Sequence, residues 1–191
     1  MIKTFNHDHV KAIINFYNGK FYLDIRNKTL VTMLIETGIR NSEIRQIQLN
    51  DISDNAIRIL GKGNKIRYVP ISLHLQKQLY KFLRKREEYI NGKGFTTLFL
   101  FVSTHGGMLT IKMPLNVVKR ACLELGIEDV NGIVHNCRRY YAQTMLDNTD
   151  IYTVSRLLGH TELRTTQIYL NSTDDKVILE RGMNSPLSKF K

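Results

Sequence analysis

Apolar residues recur along this chain with two different periods, and the change from one to the other marks out its elements. Val10, Ile13, Ile14 and Tyr17 fall at i, i+3, i+4 and i+7, one face of a helix with Asn6 as cap and Asn18-Gly19 as stop. Leu30, Val31, Leu34 and Ile35 predict a second helix over about 24–37, ended by Gly38. Asn41 is placed to cap a short third helix that carries Ile44 and Ile47. The period then shortens. Residues 56–61 and 66–71 alternate on either side of Lys62-Gly63-Asn64-Lys65, and Gly-Asn at the centre of a tight turn predicts a hairpin. Ser72 opens a helix over 73–90, with Leu75, Leu79, Phe82 and Leu83 inward and Lys77, Lys81, Arg84, Lys85 and Arg86 on or near the solvent face. Residues 98–103 (LFLFVS) predict either a short buried strand or an apolar segment under a loop. Helices follow over 111–125, 136–147, 151–158 (capped by Asp150, stopped by Gly159), 162–170 and 174–181. The sum is one compact α+β unit, predominantly α-helical with a small antiparallel β-hairpin, and with no internal repeat or low-complexity linker.

Composition narrows the function classes. With 42% hydrophobic and 9% aromatic residues the chain can bury a core, which argues against wholesale disorder. No apolar run approaches the roughly 20 residues needed to span a bilayer, and the first ten residues have no signal-peptide apolar stretch. A membrane partner is therefore not expected, and the expected location is the cytoplasm of a bacterial or phage-host cell. Cys122 and Cys137 are too few for a disulfide scaffold and fit a reducing compartment. Lys and Arg number 28 against 17 Asp and Glu, a net charge of +11. Such a field attracts polyanions, nucleic acid foremost, although solubility alone also explains it.

The candidate chemistry lies in scattered polar residues. Arg40 follows Gly38, Lys62 sits in the hairpin turn, and His135 and Arg138 fall one helical turn apart. His160 follows Leu157-Leu158-Gly159, and Tyr169 comes nine residues later. Arginines that each offer two hydrogen bonds to non-bridging oxygens suit attack on a phosphodiester, because they stabilise charge that grows in the transition state.

These residues sit in four blocks: TGIRNSEIRQIQLNDI (37–52), GKGNKIRYVPI (61–71), HNCRR (135–139) and LLGHTELRTTQIY (157–169). In order and spacing the blocks resemble the tyrosine recombinase, or phage integrase, family over about residues 1–180. The resemblance implies the catalytic-domain fold of that family. It also implies a DNA strand transferase that cuts and rejoins duplex DNA through a 3′-phosphotyrosyl intermediate without metal, cofactor or ATP. Position by position it assigns Arg40 and Arg138 as phosphate-binding arginines, Lys62 as proton donor to the departing 5′ oxygen, and His135 and His160 as the two histidines. Tyr169 becomes the nucleophile and Glu43 an acidic residue supporting the site. A free tyrosine has a pKa of about 10, so near neutral pH it needs a base or cationic surroundings. Arg40, Arg138 and Lys62 supply the cations, in the place a metal fills elsewhere, and His135 can accept the proton. Lys65, Arg67 and Arg139 are expected to touch the DNA backbone, positioning it rather than reading its sequence.

Two positions depart from the family pattern His-x-Leu-Arg-His. Cys137 stands for leucine and Arg139 for the final histidine; neither removes a catalytic group. The resemblance leads us to expect partners in double-stranded DNA and in further recombinase protomers, four to a synapse. It divides the chain into a catalytic domain over 1–180 and a tail over 181–191. The N-terminal DNA-clamping domain of full-length relatives has no counterpart in these residues. Rival readings are a catalytically silent DNA-binding regulator of the same fold, a type IB topoisomerase and a metal nuclease. The last would draw on His135, Cys137 and His160, whose spacing matches no familiar zinc site.

Overall fold

A computed structural model describes residues 4–127, 133–160 and 162–170, apart from the side chains of Lys62, Ile133 and Leu170. The first helix, α1 (His7–Phe16), begins where Asn6 Oδ1 accepts the His9 N–H at 2.7 Å, and it buries Val10 and Ile13. α2 (Tyr22–Thr37) is central, packed against α1 and against four helices farther along the chain. Leu30, Val31, Met33 and Leu34 are wholly buried, and so are Thr29, Thr32 and Thr37. A helix enclosed on every side cannot leave hydroxyls unpaired, and these donate to the carbonyls of Ile25, Lys28 and Met33, four residues back. Gly38 ends the helix at φ +59°, where a Cβ would lie 2.5 Å from Cδ1 of Tyr141. Conformation and space both demand glycine there.

The third helix is capped one residue earlier than expected. α3 (Asn41–Gln46) follows Arg40, and the cap is the Glu43 carboxylate, which accepts the Arg40 N–H at 2.7 Å. Asn41 is instead the first helical residue, its amide donating to the Ile111 carbonyl at 2.9 Å. The hairpin forms as predicted: β1 (Ala56–Leu60) pairs antiparallel with β2 (Ile66–Pro70), setting Ile57 opposite Val69 and Ile59 opposite Arg67. Its turn places Gly63 at φ +72° and Asn64 at φ +56°, the left-handed pair that Gly-Asn tolerates.

Ser72 Oγ caps α4 (Leu73–Lys93) by accepting the Leu75 N–H, and the helix runs on past residue 90 to Gly94. Arg86 corrects the sequence reading. It lies one turn after Phe82 on the inner face, buried, and donates to the carbonyls of Thr97, Phe99 and Leu100. The last two carbonyls belong to the LFLFVS segment, which forms isolated bridges rather than a third strand of the sheet. It joins the rest through an isolated bridge from Phe99 to Gln48, and Arg26 donates to its Val102 carbonyl at 3.1 Å. Buried arginines thus satisfy backbone acceptors that a sheet would otherwise pair.

The remaining helices are α5 (Lys112–Glu124), α6 (Ile133–Asn148), α7 (Ile151–Leu158) and α8 (Arg164–Leu170). Asp150 Oδ1 caps α7 by accepting the Thr153 N–H at 2.9 Å. α6 packs on α2, α5, α7 and α8. The helix expected over 174–181 and the tail lie outside the described residues. Among those described, no helix is long and apolar enough to cross a membrane.

Candidate active site

The site is built on the C-terminus of α7. The last carbonyls of a helix have no partner within it and carry the negative end of its dipole, so cations gather there. Three arginines from three elements do so. Arg67 Nε of β2 donates to the Leu157 carbonyl at 2.9 Å, and Arg138 of α6 to the Leu158 carbonyl at 2.7 Å. Arg40, before α3, directs its guanidinium to the carbonyls of Leu158 and Gly159 at 3.5 and 3.4 Å. Arg138 also donates to the Gly38 carbonyl at 2.6 Å, which ties the end of α2 to the end of α7.

Glu43 holds two of these cations. Its Oε1 accepts from Arg40 at 3.0 Å and from Arg67 at 2.8 Å, and its Oε2 accepts from Arg67 at 2.8 Å. Burial alone would raise the carboxyl, but bonds from Arg67 and from the Arg40 backbone outweigh it and hold the pKa at about 2. One carboxylate among three guanidiniums leaves a cationic surface. Arg40 is the arginine that reaches solvent, with its side chain 36% exposed against 11% for Arg67.

Gly159 takes φ +67° and turns the chain so that His160 faces the arginines. Arg138 approaches His160 Nε2 at 2.9 Å, and Thr166 Oγ1 lies 2.7 Å from its Nδ1. A guanidinium can only donate, so Nε2 is the acceptor and the ring is neutral, with its proton on Nδ1 toward Thr166. Burial first, then Arg138 and Arg40, lower the His160 pKa to about 4. Tyr169 stands one helical turn beyond Thr166 on α8, its ring nearly parallel to the imidazole with centroids 6.4 Å apart. It also lies within the electrostatic reach of Arg138.

Arg40, Arg138, His160 and Tyr169, which the sequence scatters over its length, therefore meet at one helix end with Glu43 behind them. Arg40 divides two clefts. One, of about 550 Å³, is lined by Arg40, Lys65, Arg67, Arg156, His160 and Thr165; the other, of about 290 Å³, by Arg40, Asn41, His135 and Arg138. Exposed His135 is thus on the Arg138 side, and exposed Lys65 on the His160 side. Lys62 opens the hairpin turn Lys62–Asn64, whose flanking residues Gly61 and Lys65 line the larger cleft. Arg139 donates to Asn136 Oδ1 of its own helix at 3.3 Å.

Sequence reasoning passed over two participants. Thr166 is wholly buried on the imidazole, and its signal was its place one turn before Tyr169. Arg156 lines the larger cleft as an added cation and was visible only as one charge among many. The metal-site alternative finds no support in the geometry. Cys137 is wholly buried and burial pushes its thiol well up, away from the thiolate a metal needs. Among the described residues no group of three or more His, Cys, Asp or Glu is arranged to hold a metal ion.

Known proteins bear on this arrangement. The sequence model of the Phage integrase family matches residues 3–176. The tyrosine recombinase XerC of Lacticaseibacillus casei (strain BL23) is 35% identical over 172 residues, 86% of this chain and 56% of that protein. The chain spans about half the length of the curated relatives it matches. Among solved structures, the XerA recombinase superposes with a TM-score of 0.79 at 24% identity, covering 95% of this chain and 62% of that one. The XerH site-specific recombinase, in a post-cleavage complex with a palindromic difH substrate, gives 0.78 at 25% identity, covering 95% and 52%.

Proposed function

The chain belongs to the phage integrase family, the tyrosine recombinases, and from that premise we propose that it cuts and rejoins duplex DNA through a 3′-phosphotyrosyl intermediate at Tyr169. Residues 1–180 serve as the catalytic domain. One observation carries the reading: Arg40 and Arg138 converge with His160 and Tyr169 on the C-terminus of α7. A phosphodiester placed against Arg40, the most open of the three guanidiniums, brings its phosphorus within the field of all of them. The similar XerH recombinase, described in complex with its difH DNA substrate, supports duplex DNA as the partner.

In the cleavage step the Tyr169 oxygen forms a bond to phosphorus and the bond from phosphorus to the 5′ oxygen breaks. The phenolic proton passes to His135, and Lys62 gives a proton to the leaving 5′ oxygen. Arg40 and Arg138 stabilise the extra charge on the non-bridging oxygens. Neutral His160 accepts from Arg138 and so fixes the direction of that guanidinium. The phosphotyrosyl bond replaces one phosphodiester bond with another, so a free 5′ hydroxyl can reverse the step on the same or a new strand without ATP or metal. Lys65 and Arg139 flank the site as backbone contacts, and further copies of the chain complete the exchange on DNA.

Replacing Tyr169 with Phe tests the reading. The variant is expected to keep its DNA affinity and its salt dependence, while the SDS-stable adduct with nicked duplex DNA, formed by the wild type in EDTA, disappears. An adduct that persists in Tyr169→Phe contradicts the assignment.

A further inference from the structure

Arg67 has surroundings unlike those of a residue lying along a DNA backbone. Its two terminal nitrogens each donate to a Glu43 oxygen at 2.8 Å, and its Nε donates to the Leu157 carbonyl at 2.9 Å. Protein acceptors therefore meet Nε and both terminal nitrogens, and only a small part of the side chain reaches water. Gly159 answers to the same side chain. A Cβ there would stand 2.9 Å from Arg67 Cδ and 3.1 Å from one terminal nitrogen, so the residue before His160 has no room for a side chain. Arg67 thus touches α3 through Glu43 and α7 through Leu157 and Gly159. It does so from β2, the strand that leaves the turn Lys62–Asn64. On the same strand, Ile66 and Tyr68 are exposed and Val69 is buried in the core. Arg67 is the polar link from this hairpin to the end of α7.

We propose that Arg67 is a positioning residue for strand cleavage: it clasps the β1–β2 hairpin to the junction of α3 and α7 and so sets Lys62 where the 5′ oxygen departs. The inference rests on the function proposed above. A guanidinium is required because its fork spans a carboxylate and a backbone carbonyl at once, whereas a lysine ammonium is a single point of charge. A phosphate contact would act differently, through DNA affinity and its salt dependence.

The test uses the 191-residue chain and a nicked duplex recovered from a randomised pool by its adduct with the wild type. Arg67→Lys keeps a positive charge beside Glu43, so no buried carboxylate is left bare. Its adduct formation is expected to slow by about 100-fold, the scale of a lost general acid. The same duplex with sulfur in place of the bridging 5′ oxygen separates the causes. Breaking the phosphorus–sulfur bond releases a thiolate, which leaves unprotonated because a thiol has a pKa of about 8.5. On that substrate the deficit should shrink to within about 5-fold, while the salt slope of DNA binding stays at the wild-type value. In a Lys62→Ala background, Arg67→Lys should cost nothing further, since it acts through the missing side chain.

An equal deficit on both substrates overturns the proposal, as does a full added loss in the Lys62→Ala background, the outcome also expected if Arg67→Lys merely unfolds the chain. In Arg67→Gln, which removes the charge, a salt slope lowered by about 0.9 would return Arg67 to the phosphate backbone. A wild type that forms no adduct defeats this inference together with the proposed function, whereas a normal wild type with an undisturbed Arg67→Lys defeats this inference alone.

Discussion

The site straddles two apolar cores of unequal size. The larger runs through α1, α2, α4 and α5 and takes in Ile44 of α3, Val69 of β2 and Cys137 of α6. The smaller consists of Tyr141, Ala142, Leu146, Val154 and Leu158, with Met145, Ile151 and Tyr169 packed against it. Arg40, Glu43 and Arg67 stand on elements anchored in the larger core. His160 and Tyr169 leave helices that rest on the smaller one. Arg138 lies between Cys137 and Tyr141 on α6, and its bonds to Gly38 and Leu158 join the two. Groups that bind a phosphate by preformed geometry gain from rigid support. A nucleophile that must approach and leave the phosphate gains from a helix held by few buried contacts, because such segments open locally at low free energy.

The largest expected effect separates binding cations from the joint that carries them. Arg40→Ala and Arg138→Ala should each slow single-turnover cleavage by about 10²–10³, or ~2.7–4 kcal/mol. Only Arg138→Ala should also lower the melting temperature markedly, since it strips the buried Gly38 and Leu158 carbonyls of a donor at about 1–3 kcal/mol each. Equal melting temperatures for the two variants would break the comparison.

Core truncation sharpens it. Leu30→Ala in the large core and Leu158→Ala in the small one each remove a wholly buried side chain and should cost about 2–5 kcal/mol. Leu30→Ala is expected to lower hydrogen-exchange protection throughout, whereas Leu158→Ala should lower it chiefly in α7 and α8. Uniform loss in both variants would mean a single cooperative core.

Acid offers the smallest effect and the same contrast. His160 is kept neutral down to about pH 4 in the fold against an ordinary 6.5, so the unfolded chain takes up its proton first. Its contribution is intact above pH 6.5 and declines as pH falls toward 4. Glu43 is kept ionised down to about 2 against an ordinary 4.5. That contribution, about 3 kcal/mol at 1.36 kcal/mol per pKa unit, is intact above pH 4.5 and lost as pH falls toward 2. Protection in α7 and α8 should therefore weaken near pH 5 while α2 holds until below pH 4. Simultaneous loss would contradict the assignment of the two groups to different cores.

Much of this was legible along the chain because local rules decide it. Asn6, Ser72 and Asp150 cap the helices they were expected to cap, and Gly38 and Gly159 end theirs in left-handed conformation. The arginines were harder. Arg86 was expected on or near the solvent face, yet it is buried on carbonyls past the end of its own helix, and no short-range periodicity reports such a partner. Arg67 was expected along the DNA backbone, and its protein acceptors, 24 and 90 residues away along the chain, lie equally beyond local rules. At Arg40 the expected cap moved by one residue, because a carboxylate at Glu43 serves the backbone N–H better than Asn41 does from inside the helix. The ordered motif blocks brought Arg40, Arg138, His160 and Tyr169 into view together. The hydroxyl of Thr166, which fixes the imidazole, became apparent only when α8 was set against α7.

The most direct measurement is the chemical identity of the linkage. The wild-type adduct, formed on nicked duplex DNA in EDTA and trimmed with nuclease, is digested with protease and its peptides are read by mass spectrometry. The account predicts one nucleotide phosphate on the tyrosine of the peptide containing Tyr169, joined through the 3′ position. A nucleotide on any other residue, or attachment through a 5′ phosphate, would contradict it.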